Sequence, residues 1–111
     1  MSYETKILPS GIVIENRPGD AQDELKYCWF IEGTNLLHNE GKPAFEYNDG
    51  SKYWIQHNRF HRLDGPSIEF VSGYNNHYIY DVSYSKEDYW NHPKVKEYMY
   101  LKEHPELESF V

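Results

Sequence analysis

The sequence predicts an α+β fold, mainly β: a twisted antiparallel β-meander of tandem hairpins followed by a C-terminal helical segment. Three observations predict it. A segment repeats itself at an interval of 23 residues, each copy alternates apolar and polar side chains, and after residue 84 that alternation gives way to helix-start signals and helical spacing.

The repeat is the strongest of these. Trp29 opens the stretch WFIEGTNLLHNEGKPAFEYNDGSKY and Trp54 opens WIQHNRFHRLDGPSIEFVSGYNNHY. With His38 laid on His61, Pro43 falls on Pro66, Ala44 on Ser67, Phe45 on Ile68, Glu46 on Glu69, Tyr47 on Phe70 and Gly50 on Gly73. A decayed third copy follows as YIYDVSYSKEDYWNHP, with Tyr78 in the Trp place, and a fainter one precedes, from Leu8-Pro9-Ser10-Gly11 to Lys26-Tyr27-Cys28-Trp29.

Within each copy, residues 43–47 and 67–71 read as strands with a period of two. Phe45, Tyr47, Ile68 and Phe70 point to one face and Glu46 and Glu69 to the other. Asn48-Asp49-Gly50 and Ser72-Gly73 are hairpin turns, since Asn and Asp bond their local backbone and Gly accepts positive φ. Return strands are expected over 52–56 and 77–82. Pro43 and Pro66, lacking an N–H, belong at strand starts. An earlier strand pair is expected over 12–15 and 26–31, joined by a polar loop from Asn16 to Glu24.

Ser85 is the expected N-cap of a helix, with Asp88 in the place of the capping-box Glu. Pro93 suits the first position of a second helical turn. Val95, Tyr98, Met99 and Lys102 then recur at helical spacing, a stripe fit to cover one end of the sheet. The whole reads as one domain, with the sheet over 1–84, the helical segment over 85–103 and a tail over 104–111.

Composition narrows the function classes. A chain of 111 residues fits one small core, and 11 Tyr, 5 Phe and 3 Trp supply much of its apolar surface. Cys28 is the single cysteine, so no intrachain disulfide forms, and its place between Tyr27 and Trp29 reads as a small buried hydrophobe. The N-terminus lacks the pattern of a signal peptide, and no run approaches a membrane span. The expected location is the cytoplasm. A net charge of -7 argues against binding phosphates through bulk electrostatics, and no direct nucleic-acid binding is expected. Most of the net negative charge, -5 of -7, lies in residues 1–50, either to face a basic partner or to keep an aromatic-rich chain soluble.

HRLDGP at 61–66, with its degenerate partner HNEGKP at 38–43, resembles the tandem repeats of small phage-encoded proteins. Their form is Trp-(Tyr)-x-Asn-Gly-x-x-His-Arg-x-Asp-Gly-Pro-Ala, MORN-like in style, and the SYSKEDYWNHPKVKEY stretch is similar to the segment that often closes them. The resemblance covers roughly residues 27–100. It implies an antiparallel meander of bacteriophage origin, acting in the bacterial host cytoplasm, and no established activity. This sequence departs from the pattern in three places. His57-Asn58-Arg59 replaces the Asn-Gly turn, two extra residues separate Trp29 from His38, and the Arg62/Asp64 pair has no counterpart in the first copy.

His57, Arg59, His61, Arg62 and Asp64 form the densest chemically capable cluster. As an enzyme site, His57 and His61 would be an acid/base pair with Arg59 on a phosphate, as in a small nuclease. As structure, Asp64 would brace the turn into Gly65-Pro66, and Arg62 would pair with it or stack on a ring. The structural reading is preferred. No nucleophile motif, phosphate loop or metal-ligand spacing occurs, so no enzyme, metal or cofactor is expected.

Trp29, His38, Pro43, Gly50, Asp64, Gly65, Pro66 and Gly73 are read as repeat-structural. Trp54, His57, Arg59, His61, Arg62, Glu46 and Glu69 are the candidate binding residues. The expected function is a phage-type accessory protein that binds and modulates a bacterial host or defence protein, with inhibition the favoured mode, through an acidic, aromatic-rich sheet surface. The rival is a small-ligand or nucleotide-binding, sponge-like homo-oligomer using Arg59, Arg62, Tyr53 and Trp54. A nucleic-acid mimic and the small nuclease are lesser alternatives.

Overall fold

Short turns between consecutive strands leave each strand beside its sequence neighbour, and the result is an antiparallel meander. The computed structural model describes residues 3–18 and 25–108. Its strands are β1 (Glu4–Ile7), β2 (Val13–Asn16), β3 (Leu25–Ile31), β4 (Phe45–Tyr47), β5 (Lys52–Tyr53), β6 (Ile55–Gln56), β7 (Arg59–Phe60), β8 (Ile68–Glu69), β9 (Asn75–Ile79) and β10 (Val82–Tyr84). Three helices follow: α1 (Lys86–Trp90), α2 (Pro93–Glu103) and α3 (Pro105–Glu108). Eight strands make one sheet in the order β1-β2-β3-β4-β5-β8-β9-β10, while β6 and β7 form a hairpin of their own. The mainly β class, the antiparallel meander and the helical C-terminal segment are as the sequence predicts.

Backbone hydrogen bonds recur 23 residues apart. Ala44 N–H donates to Tyr53 O and Ser67 N–H to Asn76 O; Asn39 N–H donates to Ile55 O and Arg62 N–H to Tyr78 O; Asn58 N–H donates to Leu37 O and Asp81 N–H to Phe60 O. Tyr47 and Phe70 likewise close their turns onto Ser51 and Tyr74. Leu8 closes an equivalent turn onto Ile12. The glycine of each of these three turns, Gly11, Gly50 and Gly73, has φ between 92° and 99°, a conformation other residues adopt at a cost.

The second turn carries no glycine in the second and third units, unlike the Gly33 turn of the first. His57 and Asn58 in one copy, and Tyr80 and Asp81 in the next, all have positive φ, which is the backbone of a two-residue type I′ hairpin. This corrects three expectations. The strand expected over 77–82 is broken by the Tyr80-Asp81 turn into β9 and β10. The strand expected over 52–56 is split at Trp54: Lys52 and Tyr53 pair with β8 as β5, while Ile55 and Gln56 pair with β7 as β6. His77, not Tyr78, takes the Trp place, because Asn76 matches Tyr53 in the hydrogen-bond pattern. β1 was not anticipated, and the expected 104–111 tail contains α3. Most of the expected 16–24 loop lies outside the described residues.

Buried residues form two clusters. Leu8, Ile14 and Trp29 pack together at the β1–β3 end, and Ile79, Tyr89 and Val95 at the β9–helix end, where Leu63, Tyr84 and Met99 add to them. Ser85 caps α1 by accepting from Asp88 N–H at 3.1 Å, and Pro93 opens α2 behind an N-cap His92. Tyr89, fully buried, ties helix to sheet: its hydroxyl donates to Arg62 O at 2.6 Å and accepts from Gly65 N–H at 3.1 Å. Burial pushes its pKa up to about 12, so it stays a neutral donor. Tyr89→Phe keeps the ring and orphans two backbone groups. Urea unfolding is expected to show a loss of about 1–3 kcal/mol with an unchanged m-value.

Candidate functional site: two faces of one sheet

Directly paired residues of an antiparallel sheet share a face. Glu46 pairs with Lys52 and Lys52 with Glu69, so these charges form one row on one face. Phe45 pairs with Tyr53 and Tyr53 with Ile68, which places the rings on the other.

On the charged face Arg62 is the centre. Its guanidinium lies over the Trp54 ring at 3.8 Å, donates from Nε to Asp64 at 2.8 Å, and donates from Nη1 to Pro66 O at 3.0 Å and to Glu69 at 2.9 Å. A Cβ on Gly65 would stand 2.8 Å from Arg62 Cζ, so glycine there leaves room for the guanidinium. Both halves of the structural reading therefore hold for Arg62: it pairs with Asp64 and stacks on a ring. Asp64 is braced between Arg62 and Lys102, and those two cations outweigh burial to lower its pKa. In the first copy Asn39 does part of the same work, donating from Nδ2 to Pro43 O at 3.0 Å as Arg62 does to Pro66 O.

The repeat histidines are buried acceptors. His38 Nδ1 accepts from His57 N–H at 2.9 Å, and His61 Nδ1 accepts from Tyr80 N–H at 3.1 Å. A backbone N–H only donates, so each Nδ1 is bare and each neutral imidazole carries its proton on Nε2. Each ring thus seats the turn of the following hairpin. His38 Nε2 donates to Glu40 at 2.8 Å, and Ser10 also donates to that carboxylate at 2.7 Å. Burial would raise the Glu40 pKa, but these bonds hold it below the usual value.

Of the candidate binding residues, Trp54 and His61 are buried, and Arg62, Glu46 and Glu69 are half-buried and paired. Tyr27 OH donates to Glu46 at 3.2 Å. Only His57 and Arg59 are exposed, both on the β6–β7 hairpin. The acid/base pair is not assembled, since the His57 ring packs on His38 at 4.6 Å while His61 stacks on Tyr80 at 3.7 Å. Nor are the four residues of the nucleotide-binding alternative brought together, because Tyr53 points to the opposite face from Trp54 and Arg62. Cys28 is buried, and burial pushes its pKa up to about 11, the state of an inert thiol.

The opposite face carries what residue-by-residue inspection missed. Tyr53 stacks on Phe45 at 4.3 Å and meets Tyr47 at 5.7 Å, Phe70 at 6.1 Å and Phe60 at 6.3 Å. Phe60 leads on to Tyr78 at 5.4 Å and Phe70 to Tyr74 at 6.3 Å. Seven rings thus form one continuous surface from β4 to β9. The helices lie on the other side, where Tyr89 and Trp90 pack on His77. Glu46 and Glu69 therefore share the helix-bearing face, so the carboxylates and the rings do not make up the one acidic, aromatic-rich surface that the sequence reading expects. The period-two spacing of Phe45 and Tyr47, and of Ile68 and Phe70, is the signal that could have found the ring surface.

Comparison with family models, curated proteins and solved structures finds no match. Among the described residues, no helix is long and apolar enough to cross a membrane, and no three His, Cys, Asp or Glu side chains gather as metal ligands.

Burial lowers the His61 pKa from 6.5 to about 4, with Lys94 adding to the effect. The unfolded chain therefore binds a proton that the folded one refuses, and stability falls as pH drops from about 6.5 to about 4. Thermal melts across that window should show the decline. His61→Gln, which offers an acceptor without titrating, should lower Tm at pH 7 and flatten the slope.

Proposed function

We propose that the chain is a non-catalytic binding protein whose ring surface docks on a partner protein. The observation that carries this reading is the continuous array of Phe45, Tyr47, Tyr53, Phe60, Phe70, Tyr74 and Tyr78, with Tyr74 exposed and the other six half-buried. An apolar sheet face ordinarily buries itself against another layer, and here the described elements supply none. Tyr and Phe are enriched at interface cores, where charged side chains are depleted, and stacked rings lose little conformational entropy on docking. The paired carboxylates Glu46 and Glu69 lie on the reverse face and do not interrupt that surface.

The resemblance to phage repeat proteins supports a more specific reading: an accessory protein that inhibits a bacterial host or defence protein. Affinity capture from bacterial lysate tests it. Wild-type protein is expected to recover one stoichiometric partner, and the folded Tyr47→Lys/Tyr74→Lys variant to bind that partner at least about 30-fold more weakly, as for loss of a hot spot of about 2 kcal/mol. Tyr100→Lys, on α2, should bind as wild type. Recovery of no stoichiometric partner, or equal capture by the ring variant, would contradict the proposal.

A further inference from the structure

The third repeat unit differs from the others in a way that leaves a cleft. Trp29 is capped by Lys6, whose Nζ lies 4.6 Å from the ring centroid, and Trp54 is capped by Arg62 at 3.8 Å. In the third unit the Trp place holds His77, and the position 23 residues after Arg62 holds Ser85. Both replacements are smaller than what they replace. Where the second unit fills itself with a ring and a guanidinium, the third opens a cleft of about 750 Å³ between β9 and α1. That volume is in the range of small-molecule sites.

The groups lining it are disposed for a ligand. His77 is only 8% exposed, yet no hydrogen bond reaches its imidazole among the described residues, in contrast to His38 and His61. Its ring nitrogens are not sealed from solvent, so they open onto the cleft and are available to a ligand there. Burial, with help from Lys86 and Arg62, lowers the His77 pKa, so the ring presents one donor and one acceptor. Trp90 is 37% exposed on the cleft wall and Tyr84 stands beside it, giving flat apolar faces. Lys86 lines the cleft with no ion pair among the described residues. Ser85 Oγ accepts from Asp88 N–H, which leaves its hydroxyl proton free to donate, and Asn75 adds an amide.

We propose that this cleft binds a nucleoside phosphate, with the base against Trp90 and Tyr84 and the phosphate on Lys86 and Ser85. Aromatic stacking tolerates any base, His77 and Asn75 can meet a base edge, and one lysine supplies the charge that a single phosphate needs. The site shares no residue with the nucleotide-binding alternative read from the sequence, and apart from Tyr74 at its rim it is separate from the ring surface.

Titration with adenosine, guanosine, cytidine and uridine 5′-monophosphates, followed by tryptophan fluorescence and calorimetry, tests the proposal. Saturable binding is expected, with inorganic phosphate alone binding at least about tenfold more weakly because it cannot stack. His77→Trp restores the residue of the preceding units and is expected to fill the cleft and abolish binding. Lys86→Glu, on the surface and harmless to the core, should weaken nucleotide binding by at least about tenfold. No saturable binding, equal affinity for inorganic phosphate, or unchanged binding in folded Lys86→Glu protein would overturn it.

Discussion

The structure depends on a bare imidazole nitrogen accepting a backbone N–H from the next repeat unit. His38 holds the turn at His57, and His61 holds the turn at Tyr80. These turns have positive φ at residues that are not glycine, a backbone that persists only when its surroundings over-determine it. The histidines supply that constraint from the unit before. Neighbouring hairpins are therefore tied through a buried polar bond as well as through strand pairing. Such a bond is satisfied only in the neutral tautomer, so the same contact that orders the sheet makes it sensitive to acid.

Once the hairpins are seated, the two faces separate in character. Adjacent residues of a strand point opposite ways, so the sequence Phe-Glu-Tyr at 45–47 places rings on one side and a carboxylate on the other. The carboxylates are absorbed: Glu69 by Arg62, Glu46 by Tyr27 and Lys26. Arg62 is in turn clamped between Trp54 and Gly65 and tied through Asp64 to Lys102 on α2. This charged layer links sheet to helices, and the rings on the other face are half-buried against one another, with Tyr74 exposed. The proposed partner-binding role and the geometry of the fold thus have one origin, the alternation of side chains along short strands.

Much of this was legible in the sequence. Period-two alternation, the Gly turns and the Ser85 and Pro93 signals are local, and local rules decide them. The structural reading of Trp29, His38, Asp64 and Gly65 followed from their recurrence or their turn chemistry. What was hidden is relational. That His38 and His61 serve the following turn requires knowing which hairpin lies beside which. The type I′ turn at Tyr80-Asp81 was missed because Tyr80 is an unusual residue at positive φ and no glycine follows Asp81, and so 77–82 read as one strand. The place of His77 followed from hydrogen-bond register, whereas similarity of side chains pointed to Tyr78. Glu46, Glu69 and Arg62 were plausible binding residues until the pairing of Arg62 with Glu69, and of Glu46 with Tyr27 and Lys26, was visible.

Nitrogen-15 NMR of the histidine side chains at neutral pH, combined with hydrogen exchange of the His57 and Tyr80 amides, tests the inter-unit bond most directly. Both His38 and His61 should be neutral with the proton on Nε2, and both amides should exchange as slowly as the surrounding strands. An Nδ1-protonated or charged ring at either position, or rapid exchange at either amide, would contradict the proposition that these imidazoles hold successive hairpins in place.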